Sequence, residues 1–225
     1  MSRWDEHLQE RLADLAAKGR RRALRPAALR PRGRLHRDGR EAVDFSSNDY
    51  LGLALHPLLA ERAADYAARL GAGSGASRLV TGTLDAHLAL EARVAALKGT
   101  EAAMVLASGW QANAALVPAL VKAVPGAAVF TDRLVHASIH HGCAAAGVRE
   151  IRFRHNDLAH LEELLARHAD APARIILTES VFSMDGDRAD VAALGALARR
   201  HDALLVVDEA HATGVLGPQG AGLTH

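Results

Sequence analysis

The chain has 225 residues, of which 49% are hydrophobic and 24% charged, the balance of an ordinary globular protein and not of a disordered or fibrous one. Its formal net charge of +1 excludes a global attraction to nucleic acid or membrane. No run of about 18 apolar residues appears, so no bilayer-spanning helix is expected, and the single cysteine, Cys143, excludes an internal disulfide and fits a reducing cytoplasm.

Near the N-terminus Leu8, Leu12 and Leu15 recur at helical spacing, predicting an amphipathic helix over residues 5–22. Asp5, Glu6 and Glu10 make this segment neither a secretory signal nor an acid-poor transit peptide. Between Arg20 and Arg40 nine arginines stand against Asp38, with Glu41 just beyond. Such an arm suits the phosphates of a cofactor, a partner subunit or RNA, but without interleaved aromatics for base stacking a solvated or interface arm is favoured over a nucleic-acid one. Pro26, Pro31 and Gly33 break the helical pattern, so residues 30–40 read as a turn-rich linker. A short strand is expected at 42–46, before the polar loop Ser46-Ser47-Asn48-Asp49. A helix follows at 57–70 with Pro57 in its first turn, then a glycine loop at 71–77 and a helix at 85–98 closed by Gly99. From there strands at 102–106, 127–130, 149–153, 174–178 and 203–207 alternate with helices at 109–122, 137–146, 158–168 and 191–201. Alternation of this kind predicts an α/β domain with a mostly parallel sheet covered on both faces.

Ligands of open α/β sheets sit beyond the carboxyl ends of strands, and four strand ends here carry chemistry. Asp208 closes an apolar run, with His211 three residues later in a Gly-bounded loop. An acid so placed can pair with a protonated ring nitrogen, the partner a pyridine cofactor needs as an electron sink. Ser108-Gly109-Trp110-Gln111-Ala112-Asn113 opens a helix whose free N–H groups make an anion site; a plain helix cap by Ser108 with Trp110 in the core is the competing reading. His136 follows another strand, where its imidazole could stack on a flat ring. It also stands i, i+4 to His140, but with no adjoining Glu and no third ligand no metal is expected. Ser183, in the loop after a fourth strand, is placed as a hydroxyl donor; Asp185 and Asp187 beside it do not complete a calcium loop. The glycine loop has neither dinucleotide nor Walker spacing, and Ser108 lacks the glycine flank of a catalytic-serine elbow.

Taken together, Phe45 to Leu53, Gly73-Ser74-Gly75-Ala76-Ser77-Arg78, Ser108 to Asn113, Asn156-Asp157, Val181 to Asp187 and Asp208 to Gly214 resemble, in order, the motifs of the α-oxoamine synthases. These are fold-type I pyridoxal-phosphate enzymes, and the resemblance covers nearly all of residues 5–225. It implies a three-layer α/β transferase large domain, a homodimer in the cytoplasm, and pyridoxal 5'-phosphate (PLP) as cofactor. Asp208 would pair with the pyridinium nitrogen and His136 would stack on the ring. Ser183 and His211 would bond the phenolic oxygen, and Ser108, Gly109 and Trp110 would hold the phosphate. Asn48 and Arg25 would approach the substrates, and Ser74 to Arg78 would reach toward the neighbouring active site. The motifs are most similar to the biotin-pathway branch, which condenses L-alanine with a pimeloyl thioester, carried by CoA or a carrier protein, and loses CO2. A glycine-using synthase or a non-catalytic partner subunit are the alternatives.

In the family a cofactor-bearing lysine that also moves the α-proton lies downstream of the Asp…His motif. The three lysines here, Lys18, Lys98 and Lys122, do not follow a strand in that context. The expectation is therefore an N-terminal helix and Arg-rich arm over 1–40 and a partial PLP-binding domain over 41–225. That domain would be incomplete at its C-terminus, without the lysine or the small domain, and the 225-residue chain alone would be inactive.

Overall fold

In the computed structural model, which describes residues 2–225, the chain divides into a unit ending at Ala63 and a unit of Ala64–His225. The first begins with a capping box: Ser2 Oγ accepts the Asp5 N–H at 3.2 Å and the Asp5 carboxylate accepts the Ser2 N–H at 2.7 Å. Helix α1 then spans Arg3–Ala17. It stops short of the expected residue 22 because Gly19 turns left-handed at φ +63°. Residues 30–40 are not a linker. Strands β1 (Ala28–Arg30), β2 (Arg34–Arg37) and β3 (Arg40–Val43) form an antiparallel meander. Asp38 and Gly39, at φ 51° and 75°, make the two-residue turn that joins Arg37 to its cross-strand partner Arg40, a geometry Asp-Gly favours. The expected strand at 42–46 is β3, displaced toward the turn. Arg25 pairs with Asp38 at 2.5 Å, and the exposed Asn48 accepts from the Tyr50 hydroxyl at 3.4 Å. Helix α2 runs Pro57–Leu70, as the sequence predicts.

In the second unit α3 (Asp85–Lys98) ends on left-handed Gly99, and α4 occupies Gly109–Ala123. Four parallel strands follow: β4 (Ala128–Asp132), β5 (Ile151–Phe153), β6 (Arg174–Glu179) and β7 (Ala203–Asp208). They are joined by helices α5 (Ala137–Ala145), α6 (Leu158–Arg167) and α7 (Val191–Arg200). The order is β5-β4-β6-β7, so the chain steps from β4 to β5 one way and then doubles back past β4. Right-handed crossovers put α5 on one face and α6 and α7 on the other. The core joins both faces through Phe130, Phe153, Ile176, Leu161, Leu165 and Leu197, each 2% exposed or less. Because connections leave β4 and β6 toward opposite faces, the topological switch point, where open α/β sheets bind ligands, falls beyond their carboxyl ends.

Residues 102–106, expected to form a strand, have no strand partner among the described residues. A side-chain clamp holds them instead. Glu91 accepts the Val105 N–H at 2.8 Å, Arg78 donates to the Val105 carbonyl at 2.9 Å, and Arg78 and Glu91 pair at 2.6 Å. Among the described residues no helix is long and apolar enough to cross a membrane.

Candidate active site

Three adjacent strands each end on an acid, Asp132, Glu179 and Asp208, and their surroundings give them different fates. Asp132 is spent on structure. Its carboxylate accepts the Leu134 N–H at 2.9 Å and the Asn156 N–H at 2.9 Å, and it pairs with His155 Nδ1 at 3.0 Å. The other nitrogen of His155 meets Asp187 at 2.7 Å, and Asn156 Nδ2 donates to Asp187 at 2.8 Å. Burial disfavours a charged His155, but its bonds to Asp132 and Asp187 outweigh that and raise its pKa. This bridge pins the far end of the 181–187 loop, which the Phe182 and Gly186 N–H groups close internally. Ser183, exposed at the loop's bend, is thereby held over the sheet edge.

Glu179 is 2% exposed and its Oε1 has no hydrogen-bond partner. Burial, then the nearby Asp208 charge, pushes its carboxyl up to about 7, against the opposing pull of the His136 and Ser183 backbone N–H groups. Glu179 thus stands under both loops that carry candidate cofactor ligands. The neighbouring Ser180 Oγ is likewise buried without a partner.

Asp208 is in register with Glu179 across the sheet, so their side chains share a face. Its Oδ1 accepts the Ala210 N–H at 2.9 Å and its Oδ2 accepts from Asn113 Nδ2 at 2.8 Å. A carboxylate has about four acceptor sites, so lone pairs remain for a ligand. From Asn113, on α4, the contacts continue to Ser138 Oγ at 3.0 Å and from there to His136 Nδ1 at 2.7 Å. His136 is exposed and caps α5. Trp110 meets its ring edge-on at 5.7 Å and also lies 5.6 Å from His141. Ser108 caps α4, accepting the Gln111 N–H at 3.1 Å. A side chain added at Gly109 would meet nothing within 4 Å, so space lies open at the start of α4, where the first N–H groups have no intrahelical acceptor.

The loop after Asp208 is braced from below. Lys98 Nζ donates to Glu209 at 2.7 Å, Thr213 Oγ1 at 2.6 Å and the Ala221 carbonyl at 2.8 Å. His211 is half-buried in the turn so held. The amine of Lys98 is committed to this brace. His140 pairs with Glu150 at 2.7 Å, and among the described residues no group of three or more His, Cys, Asp or Glu side chains could hold a metal ion. Burial, chiefly, pushes the Cys143 thiol up to about 11.

The structure therefore links Asp208, His136 and Trp110 at the carboxyl ends of the strands, with the Ser108–Gly109 start of α4 beside Trp110, while Ser183 and His211 lie on the loops that follow β6 and β7. Arg25 and Asn48 belong to the first unit. Sequence reasoning gave no role to Asn113, Ser138 or Glu179. A polar residue among Ala112, Ala114 and Val117 of α4 was the available signal for Asn113.

Among known proteins, the 8-amino-7-oxononanoate synthase of Gluconacetobacter diazotrophicus is 60% identical over 230 residues, covering 100% of this chain and 58% of that protein. The 8-amino-7-oxononanoate synthase of Geobacter sulfurreducens is 52% identical over 211 residues, 94% of this chain and 54% of that protein. A serine palmitoyltransferase from S. paucimobilis, solved with bound PLP–myriocin aldimine, superposes with a TM-score of 0.85 at 27% identity, covering 99% of this chain and 56% of that one. The chain thus spans little more than half the length of the proteins it matches, and its architecture is that of a fold-type I transferase large domain. With residues 40–224 matching the family profile, the chain belongs to the aminotransferase class I and II family.

Proposed function

We propose that this chain is the cofactor-holding part of a PLP-dependent C-acyltransferase of the biotin pathway. The reaction joins L-alanine to a pimeloyl thioester and releases CO2 and the thiol, giving 8-amino-7-oxononanoate. The observation that carries this reading is Asp208, an oriented carboxylate with lone pairs to spare at a strand end. The 60% identity to an 8-amino-7-oxononanoate synthase, against 27% to a serine palmitoyltransferase, favours alanine over serine as the amino acid.

The residues present fit the cofactor. Open space at Gly109 and free N–H groups at the α4 start suit a phosphate. When bound, PLP supplies a protonated ring that withdraws electrons from the substrate's reacting carbon. Asp208 would accept a hydrogen bond from the protonated ring nitrogen and so keep the proton on the ring, because a carboxylate beside a cationic nitrogen favours the charged form. Ser108, Gly109 and Trp110 would hold the phosphate, His136 would cover one face of the ring, and Ser183 and His211 would bond its phenolic oxygen. The protein works as a soluble cytoplasmic homodimer.

The test is a substrate comparison on the full native protein. With pimeloyl-CoA, L-alanine is expected to give 8-amino-7-oxononanoate by mass spectrometry, with glycine and serine at least about tenfold slower; a preference for either would sink the substrate assignment. Asp208→Asn is expected to retain the fold and lose at least about 100-fold in kcat, on the scale of removing one preorganised electrostatic group.

A further inference from the structure

Asn113 and Ser138 lie between Asp208 and His136, and following donors and acceptors through them fixes where each proton sits. Ionised Asp208 only accepts, so the Asn113 atom 2.8 Å from it must be the NH2 nitrogen. That nitrogen is also 3.0 Å from Ser138 Oγ, to which it gives its second N–H. Ser138 Oγ, which accepts from Asn113, also lies 2.7 Å from His136 Nδ1, and since the Ser138 backbone N–H makes that nitrogen an acceptor, the hydroxyl proton is the donor in this contact. The Ser138 backbone N–H is directed at the same Nδ1 from 3.3 Å. Two donors converging on one nitrogen require a lone pair there.

We infer that Asn113 and Ser138 are positioning residues that hold neutral His136 as its Nε2–H tautomer and tie its ring to the orientation of the Asp208 carboxylate. One hydrogen-bonded chain across α4 and α5 then sets both the group at the cofactor's ring nitrogen and the group on its face. The two helices are close enough to hold that chain in register. Gly142 of α5 packs so near α4 that a Cβ there would lie 2.8 Å from the Asn113 carbonyl, and Ser138 is fully buried. Trp110, edge-on to His136 at 5.7 Å, limits the ring from another side. The functional consequence rests on the cofactor reading above; the tautomer does not.

The test uses the full native protein with 15N-labelled histidine rings, His136 being identified by the signal missing in His136→Asn. Long-range 1H–15N spectra should show Nε2–H and an unprotonated Nδ1 at His136, with or without PLP. Asn113→Ala and Ser138→Ala should each release a tautomer mixture, and Ser138→Thr, which restores the hydroxyl, should recover the single form. Thermal melts followed by circular dichroism identify which variants are folded. Asn113→Ala should also weaken PLP binding about tenfold, on the scale of one hydrogen bond to a charged group, as read by cofactor absorbance. An Nδ1–H ring in the parent protein, or a tautomer unmoved in both alanine variants, overturns the inference. A moved tautomer with PLP affinity unchanged within twofold removes the role toward the cofactor and leaves the cofactor reading standing. A fixed, Asn113-dependent tautomer in a protein that binds no PLP removes the cofactor reading alone.

Discussion

Replacing Lys98 by methionine keeps the apolar stem and deletes an ammonium that donates to Glu209, Thr213 and the Ala221 carbonyl at 2.6–2.8 Å. The Lys98 side chain is 20% exposed and that of Glu209 8%, so the variant strands a largely buried carboxylate. Breaking a buried pair costs about 3–5 kcal/mol, and a hydrogen bond to a charged group about 1.5–3 kcal/mol. Glu209 keeps donors in the Leu223 N–H at 2.6 Å, the Thr224 N–H at 3.2 Å and the Thr224 hydroxyl at 2.7 Å. With those donors and the partial exposure of Lys98, the expected loss falls to about 2–3 kcal/mol. At a urea slope of about 2–3 kcal/mol/M, the unfolding midpoint should fall by roughly 1 M. The double variant K98M/E209Q should recover part of that loss, because no charge is then stranded. The acid limb gives a second readout. Burial pushes the Glu209 carboxyl up, but bonds from Lys98, Thr224 and Leu223 outweigh it and hold it below the ordinary 4.5. A depressed carboxyl contributes stability that is present above its ordinary pKa and lost as pH falls through the lowered one. Without Lys98 that loss should begin at higher pH. A K98M loss below about 0.5 kcal/mol, the range of an ordinary surface change, or a double variant no better than the single, would refute the reasoning.

Glu179→Gln should stabilise the PLP-free protein above pH 7. Its carboxyl rises from 4.5 to about 7 on folding, so stability falls as pH climbs between those values, by up to about 3 kcal/mol; equal unfolding midpoints at pH 8 would contradict this. His155→Gln should destabilise most at low pH: a raised histidine pKa gives stability fully present below about 6.5 and lost as pH rises through the folded value. A difference between the two proteins in urea unfolding that grows from pH 6 to 9 would reverse that assignment. Gly142→Ala should cost about 1–3 kcal/mol, because its Cβ would sit 2.8 Å from the Asn113 carbonyl and 3.2 Å from Val117. It should also weaken PLP binding by moving Asn113, and thermal melts and cofactor titration together test both effects.

Most of the parallel sheet was legible because its strands are short apolar runs between amphipathic helices, a pattern set by burial on both faces. Two segments were not. Residues 102–106 have the same apolar look as the others, but a strand needs a neighbour, and local pattern cannot show whether one exists. Here the Arg78–Glu91 clamp takes the Val105 backbone groups instead. Residues 30–40 were misread for a different reason. Their prolines and glycines were weighed as breakers, while Asp38-Gly39, the one dipeptide that specifies a tight hairpin turn, went unused.

The site shows where sequence reasoning stops more sharply. An acid at a strand end picks out Asp208, but by that rule Asp132 and Glu179 on the adjoining strands are equal candidates. What separates them is bonding. Both Asp132 oxygens are occupied by His155, Leu134 and Asn156. Glu179 is buried deeply enough that its carboxyl is pushed up to about 7, which weakens the charge a cationic ring nitrogen needs. Asp208 alone of the three is oriented by a side-chain amide while retaining lone pairs for a ligand. That amide comes from a helix 95 residues earlier in the chain. A cofactor carboxylate is thus defined by a partner brought to it by packing, and its strand-end position is only the first condition. By the same reasoning, exchanging Asn113 for leucine should leave Asp208 held through the Ala210 N–H alone, with its second oxygen undirected, and cofactor titration should read that loss as weaker binding.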